Sequence, residues 1–155
     1  MNDYYKNLPR KYMGAGALFF DEKERILIVK PTYKDSWEIP GGVVEENESP
    51  LQCCIREIKE EIGFIEKDFK LLSLDYIHNI DNKGDRIMFI FDGGILSEKE
   101  IKNIKLPKEE LSEYKFVDIK ESVNLLGERL KIRIIPTFEA HKTNKFFYLE
   151  EGKIL

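Results

Sequence analysis

The stretch GGVVEENESPLQCCIREIKEEIGF, Gly41–Phe64, decides how the rest of the chain is read. It opens on Gly41-Gly42 after Pro40, chemistry that interrupts any regular element. Ser49 then suits a helix N-cap, Pro50 suits the first helical position, and Gln52 stands at capping-box distance from Ser49. Gly63 is a natural stop. The spacing predicts a helix over 50–62, with Leu51, Ile55, Ile58 and Ile62 as an apolar stripe turned to the core.

Charge is concentrated in the same place. From Gly42 to Phe64, six glutamates (Glu45, Glu46, Glu48, Glu57, Glu60 and Glu61) face only Arg56 and Lys59, and this excess equals the formal net charge of −4 for the whole chain. On a helical wheel Glu57, Glu60 and Glu61 share one face beside the apolar stripe and can reach a common point. Crowded carboxylates repel. Either this is a solvated acidic face, or a cation joins them, and hard oxygen donors favour Mg²⁺ or Mn²⁺. Arg56 is placed to brace the cluster or to pair with Glu48. Such a platform suits water attack on a phosphoanhydride, with metal polarising the phosphoryl oxygens and a further carboxylate accepting a proton.

Outward from this segment, the 155 residues are 42% hydrophobic, enough for one core, and read as a single domain over 1–155. The mildly acidic balance argues against binding nucleic acid or anionic membrane through charge alone. The apolar runs Ala15–Phe20 and Ile87–Phe91 are far shorter than the ~20 residues of a membrane span. The first residues, MNDYYKNLPRKYM, contain no apolar leader core. Cys53 and Cys54 are adjacent, unsuited to an ordinary disulfide with each other, and read as small buried thiols in a reducing compartment, so a cytoplasmic location is expected.

Strands are predicted over 11–20 and 26–30, then over 68–80 and 86–95 as a hairpin across the turn-forming 81–85, and over 113–118. A short helix is predicted over 122–126, and 146–149 is expected as an edge strand. Residues 97–110 read as a polar connection. Residues 128–144 suit strand and helix alike, with Pro136 limiting either. The sum is an α/β or α+β domain around a mixed sheet.

The residues Gly42, Glu48, Arg56-Glu57-Ile58-Lys59-Glu60-Glu61 and Gly63-Phe64 resemble the box of the Nudix hydrolase family, G-x5-E-x7-R-E-U-x-E-E-x-G-U. Trp37–Gly42 is also similar to the family's approach to that box. The resemblance implies an α/β/α sandwich around a mixed β-sheet. It implies Mg²⁺- or Mn²⁺-dependent hydrolysis of a nucleoside diphosphate linked to another group. It makes Glu57 and Glu61 the main metal ligands, Glu60 a ligand or outer partner and Gly41 the source of a carbonyl. Arg56 and Glu48 would orient helix and loop, and a later carboxylate, here Glu110 in preference to Glu109 or Glu113, would act as base. Motifs marking coenzyme A, NADH and ADP-ribose hydrolases are absent. The expected substrate is then a nucleoside triphosphate, damaged ones included, cleaved to monophosphate and pyrophosphate; sugar nucleotides, dinucleoside polyphosphates and a capped RNA end are the alternatives. Trp37 and Tyr76, with Tyr33, are candidates for base stacking and Lys30, with Lys34, for phosphate contact. Arg129, Lys131, Arg133, Lys142 and Lys145 form a basic region that reads as surface or as further phosphate contacts. His78 and His141 read as structural. A homodimer fits the family's habit. The alternative function is a non-catalytic nucleotide-binding module, disfavoured because all three box carboxylates are present.

Overall fold

The structure, a computed structural model, describes residues 2–63 and 67–155. Phe64, the last position of the motif above, lies outside the described residues. In chain order the elements are α1 (Asp3–Lys6), β1 (Tyr12–Phe20), β2 (Ile26–Pro31), β3 (Gly41–Val43), α2 (Pro50–Ile62), β4 (Lys70–Ile77), β5 (Arg86–Ile95), α3 (Glu98–Lys102), β6 (Leu111–Val117), α4 (Ile119–Leu125), α5 (Glu128–Thr143), β7 (Phe147–Glu150) and β8 (Lys153–Ile154).

The strands form one mixed sheet of order β6-β2-β1-β5-β4-β7-β8, with β3 pairing to β1. β1 runs parallel to β5 and β4 parallel to β7; the remaining pairs are antiparallel. Side chains alternate across a strand, and β1 uses both faces. Ala15, Ala17 and Phe19 join Leu27 and Val29 beneath α2, whereas Leu18 and Phe20 join Ile26 and Ile28 beneath α4 and α5. Two apolar cores, one on each face, make the molecule a three-layer α/β/α sandwich, as expected.

Helix α2 begins as its sequence dictates. The Ser49 hydroxyl accepts from the Gln52 N–H at 3.1 Å, and the Gln52 side chain accepts from the Ser49 N–H at 2.8 Å. Its buried face differs from the expected stripe. Cys53, Cys54, Ile58 and Ile62 are buried, while Leu51 and Ile55 are 41% and 48% exposed. The two small thiols let the helix lie close to the sheet, rotating its contact line toward Cys54 and Glu61 and leaving the larger first-turn residues outside.

Residues 128–144 resolve as helix. α5 passes through Pro136 and ends at Asn144, whose left-handed backbone (φ 52°) closes the last turn. A proline removes one helical hydrogen bond, and the burial of Ile134, Pro136, Thr137 and Ala140 against the sheet outweighs that loss. β7 is not the sheet edge, because the two-residue β8 lies outside it. Within the expected polar connection, Ser97 and Glu100 form a second capping box that starts α3.

Candidate active site

Arg56 organises the acidic segment. Its Nε and Nη2 donate to the two Glu48 oxygens at 2.6 and 3.0 Å, Nη1 donates to Glu57 at 2.9 Å, and Nη2 also reaches the Val43 carbonyl at 3.2 Å. A planar guanidinium matches a carboxylate through two parallel bonds. These bonds, with the N–H of Glu45, hold the Glu48 carboxyl down at about 2. The helix and the loop that precedes it are thereby tied together.

Glu57 and Glu61 stand differently. Burial raises the Glu57 carboxyl, with the Arg56 contact opposing it. Burial also pushes Glu61 up to about 8, its main relief being the Gly41 N–H, which donates at 3.2 Å. Among the described residues no cationic side chain pairs with Glu61. Gly42 passes so close that a Cβ there would sit 2.2 Å from Glu57 Oε1. Glycine is what permits strand β3 and this carboxylate to share the space.

Both carboxylates line a cavity of about 920 Å³, together with Gly41, Gly42, Trp37, Glu38 and Glu110. Glu110 is the member of its acidic trio that arrives there. The carbonyls of Glu109 and Glu110 accept from Thr32, and Glu113 lines a separate cavity near Lys105 and Lys108. Other expected positions are elsewhere. Glu60 points outward, with 55% of its side chain exposed, and among the described residues meets only Arg56 Nη1, at 3.5 Å. Among the described residues no three carboxylate, histidine or cysteine side chains converge closely enough to hold an ion. The helical twist places Glu60 on the solvent side of Glu57, and Arg56 intervenes. Glu48 serves Arg56 rather than the cavity.

Lys30 donates to the carbonyls of Pro31 and Lys34 and does not line the cavity, and Lys34 pairs with Glu38. Tyr76 is also absent from its wall: its hydroxyl donates to Asp85 at 2.8 Å and its ring meets His78 edge-on. Trp37 contributes to the wall while remaining 8% exposed, with Lys115 over its ring. His141 is structural, stacked on Phe20 and bonded through Nδ1 to Asp92 at 2.7 Å.

The opposite end of the cavity is lined by Tyr12, Lys83, Arg86, Arg129 and Arg133. Of these, sequence patterning raises only Arg129 and Arg133. Arg86 begins a strand and carries no local motif; its place follows from the parallel β1–β5 register, which sets it opposite Tyr12. Each arginine has an acidic partner: Arg86 with Asp81, Arg129 with Glu151 and Arg133 with Asp75, at 2.7, 2.7 and 2.8 Å.

A mixed-sheet sandwich whose cavity joins helix-borne carboxylates to an arginine-lined end defines an α/β protein with a polar, charged cleft. The NUDIX domain profile matches residues 10–138, and the chain belongs to the Nudix family. It is 30% identical over 131 residues to an RNA pyrophosphohydrolase of Campylobacter jejuni, covering 74% of this chain and 81% of that protein. It is 37% identical over 87 residues to the m7GpppN-mRNA hydrolase of Saccharomyces cerevisiae; the match covers 56% of this chain but 9% of the length of that relative. Among solved structures, a UDP-X diphosphatase superposes with a TM-score of 0.74 at 25% identity, covering 92% of this chain and 68% of that one. The MutT protein of Methanosarcina mazei Go1 superposes at 0.68 and 22% identity, covering 88% and 97%. Family members generally use divalent metal ions. No described helix is long and apolar enough to cross a membrane.

Proposed function

We propose that this chain, acting as a single domain, is a divalent-metal-dependent pyrophosphohydrolase that cleaves a phosphoanhydride bond in a nucleoside diphosphate derivative, with Mg²⁺ or Mn²⁺ as cofactor. The observation that carries this reading is the pair of desolvated carboxylates, Glu57 and Glu61, beside a glycine strand and in one cavity with Glu110. A carboxyl that burial pushes to about 8 without a cationic partner is one whose anionic form a bound cation would stabilise. Only oxygen donors are offered, which fits a hard ion.

In this reading Glu57 and Glu61 are the metal-holding pair, and Glu60 and Gly41 are subsidiary. When bound, the ion withdraws charge from the phosphoryl oxygens and acidifies the attacking water. Arg56 fixes the Glu57 carboxylate in orientation and, through Glu48, fixes the loop against the helix. Gly42 leaves room for the Glu57 carboxylate to lie against strand β3 at the cavity. The Glu110 carboxylate accepts the proton of the attacking water. Trp37 and the apolar wall exclude bulk water and support the nucleoside. Substrates named for the relatives above, RNA 5′ ends and UDP derivatives, share a nucleoside diphosphate core with the free triphosphates favoured by the sequence.

The test is a panel of nucleoside triphosphates, nucleotide sugars, dinucleoside polyphosphates and 5′-triphosphorylated RNA with Mg²⁺ or Mn²⁺, reading released phosphate and pyrophosphate. Metal-dependent turnover of at least one class, abolished by Glu61→Gln with the fold retained, is expected. Full activity in that variant would remove Glu61 from the mechanism.

A further inference from the structure

The arginine-lined end of the cavity has a feature that the reaction above does not use. Arg133 is 4% exposed, one of the few buried charges among the described residues. Its Nε donates to Asp75 Oδ2 at 2.8 Å, and Asp75 Oδ1 is in turn fixed by the Gly152 N–H at 3.0 Å. The guanidinium is thus held from one edge. Its two Nη amines have no hydrogen-bond partner among the described residues. Yet no described buried side-chain nitrogen or oxygen lacks a partner, so these amines keep contact with solvent, and Arg133 meets it where it lines the cavity. A desolvated, braced fork with two unclaimed amines faces the lumen.

We propose that this fork recognises the guanine base of the nucleotide, its Nη amines donating to the paired in-plane acceptors O6 and N7; the assignment rests on the nucleotide-hydrolase reading above and deepens it. Charge selects between the two ligand groups that offer such acceptor pairs, an anion and a base. Arg86, Arg129 and Arg133 are each paired with a carboxylate and Glu128 with Lys131, so that among the described residues Lys83 is the one charge of this wall without an opposite partner. At the fork itself the buried Asp75 cancels the charge of Arg133, which gives little net attraction to a second phosphate there, whereas a neutral base edge meets no such shortfall. The parallel donors of arginine match guanine in this way, while adenine presents N7 beside an amino donor. Oxidation of guanine at C8 turns N7 into a donor. The fork therefore also selects against that damaged base, narrowing the substrate class to undamaged guanine nucleotides.

The test compares kcat/KM for GTP, ATP, 7-deaza-GTP and 8-oxo-GTP, and for short 5′-triphosphorylated RNAs beginning with G or A, which separates a free nucleotide from an RNA end. A guanine preference on the order of ten- to a hundredfold is expected over ATP, 7-deaza-GTP and 8-oxo-GTP. In Arg133→Lys, which keeps a cation for Asp75 but loses the fork, the GTP/ATP ratio falls toward one. The 7-deaza substrate needs no variant and reads out the same contact if that protein does not fold. Calorimetric titration of the wild-type protein with GMP, AMP and inorganic phosphate, without metal, is independent of turnover. Tighter GMP binding there sustains the assignment even if no nucleotide is hydrolysed, which would instead remove the hydrolase reading. Equal binding of GMP and AMP, binding of neither, or competition by phosphate regardless of base overturns it.

Discussion

Alanine at Gly41 and alanine at Gly42 are expected to fail in different ways. At Gly41 a Cβ would lie 2.4 Å from the Ala15 carbonyl oxygen and 2.6 Å from the Gly16 Cα, both backbone atoms of β1. Strand β3 would have to move off its partner. Overpacking of this kind costs about 1–3 kcal/mol, which for a chain of this size lowers the melting temperature by about 2–12 °C. At Gly42 the obstacle is the far end of Glu57, 2.2 Å away at Oε1 and 2.3 Å at Cδ. That side chain can turn aside at a cost of about 0.5–1.5 kcal/mol, so the melting temperature falls by only about 1–6 °C. The carboxylate, however, leaves its position beside the cavity, and a displacement of about 1 Å at a catalytic group costs about 10²-fold in rate. Thermal unfolding and steady-state hydrolysis, run on both variants, check the pair. If Gly42→Ala keeps wild-type turnover, or destabilises as much as Gly41→Ala while Glu57 stays in place, the reasoning about this close approach is wrong.

Other consequences are open to simple measurement. The Glu48 carboxyl, held at about 2 by Arg56 against an ordinary 4.5, lends stability that is present above pH 4.5 and lost as pH falls toward 2; Arg56→Ala should thus lower the melting temperature at pH 7, with a gap from wild type that closes in acid. Asp75→Ala leaves the buried Arg133 unpaired and is expected to cost about 3–5 kcal/mol, part of which Asp75→Ala combined with Arg133→Met recovers in denaturant unfolding. Burial pushes the Cys53 and Cys54 thiols up to about 11 and about 12, so neither should react with a thiol-disulfide reagent at pH 8 until the protein is unfolded. Mg²⁺ at 100 times its Kd should raise the unfolding free energy by about 2.7 kcal/mol, and chelation should reverse the gain.

What the sequence reveals depends on whether the physics is local. The start of α2 is written in Ser49, Pro50 and Gln52, and the structure contains the two hydrogen bonds those residues imply. Arg56 and Glu48 pair as their spacing allows. Reading the apolar residues alone misplaces the helix's buried face, because small cysteines and the half-buried carboxylates Glu57 and Glu61 occupy much of it. The convergence of Glu60 with its neighbours fails for a related reason: sharing a helical face does not fix where a long side chain ends. The arginine end was legible only in part: the basic region over 129–145 raises Arg129 and Arg133, but not their meeting with Arg86. Arg86 lies on β5 and Arg133 on α5, and only the parallel β1–β5 pairing and the packing of α5 on β4 bring them together. Within 128–144, a buried arginine and an internal proline disrupt the periodicity that would otherwise announce a helix.

The two ends of the cavity sit on different layers of the sandwich, Glu57 and Glu61 on α2 and Arg133 on α5, with the glycines of β1 between them. Their separation is therefore a ruler cut into the sheet itself. On the reading proposed above, a mutation in a surface loop would change how a ligand arrives but not the distance from the α2 carboxylates to Arg133; lengthening that measure would require rebuilding a central strand.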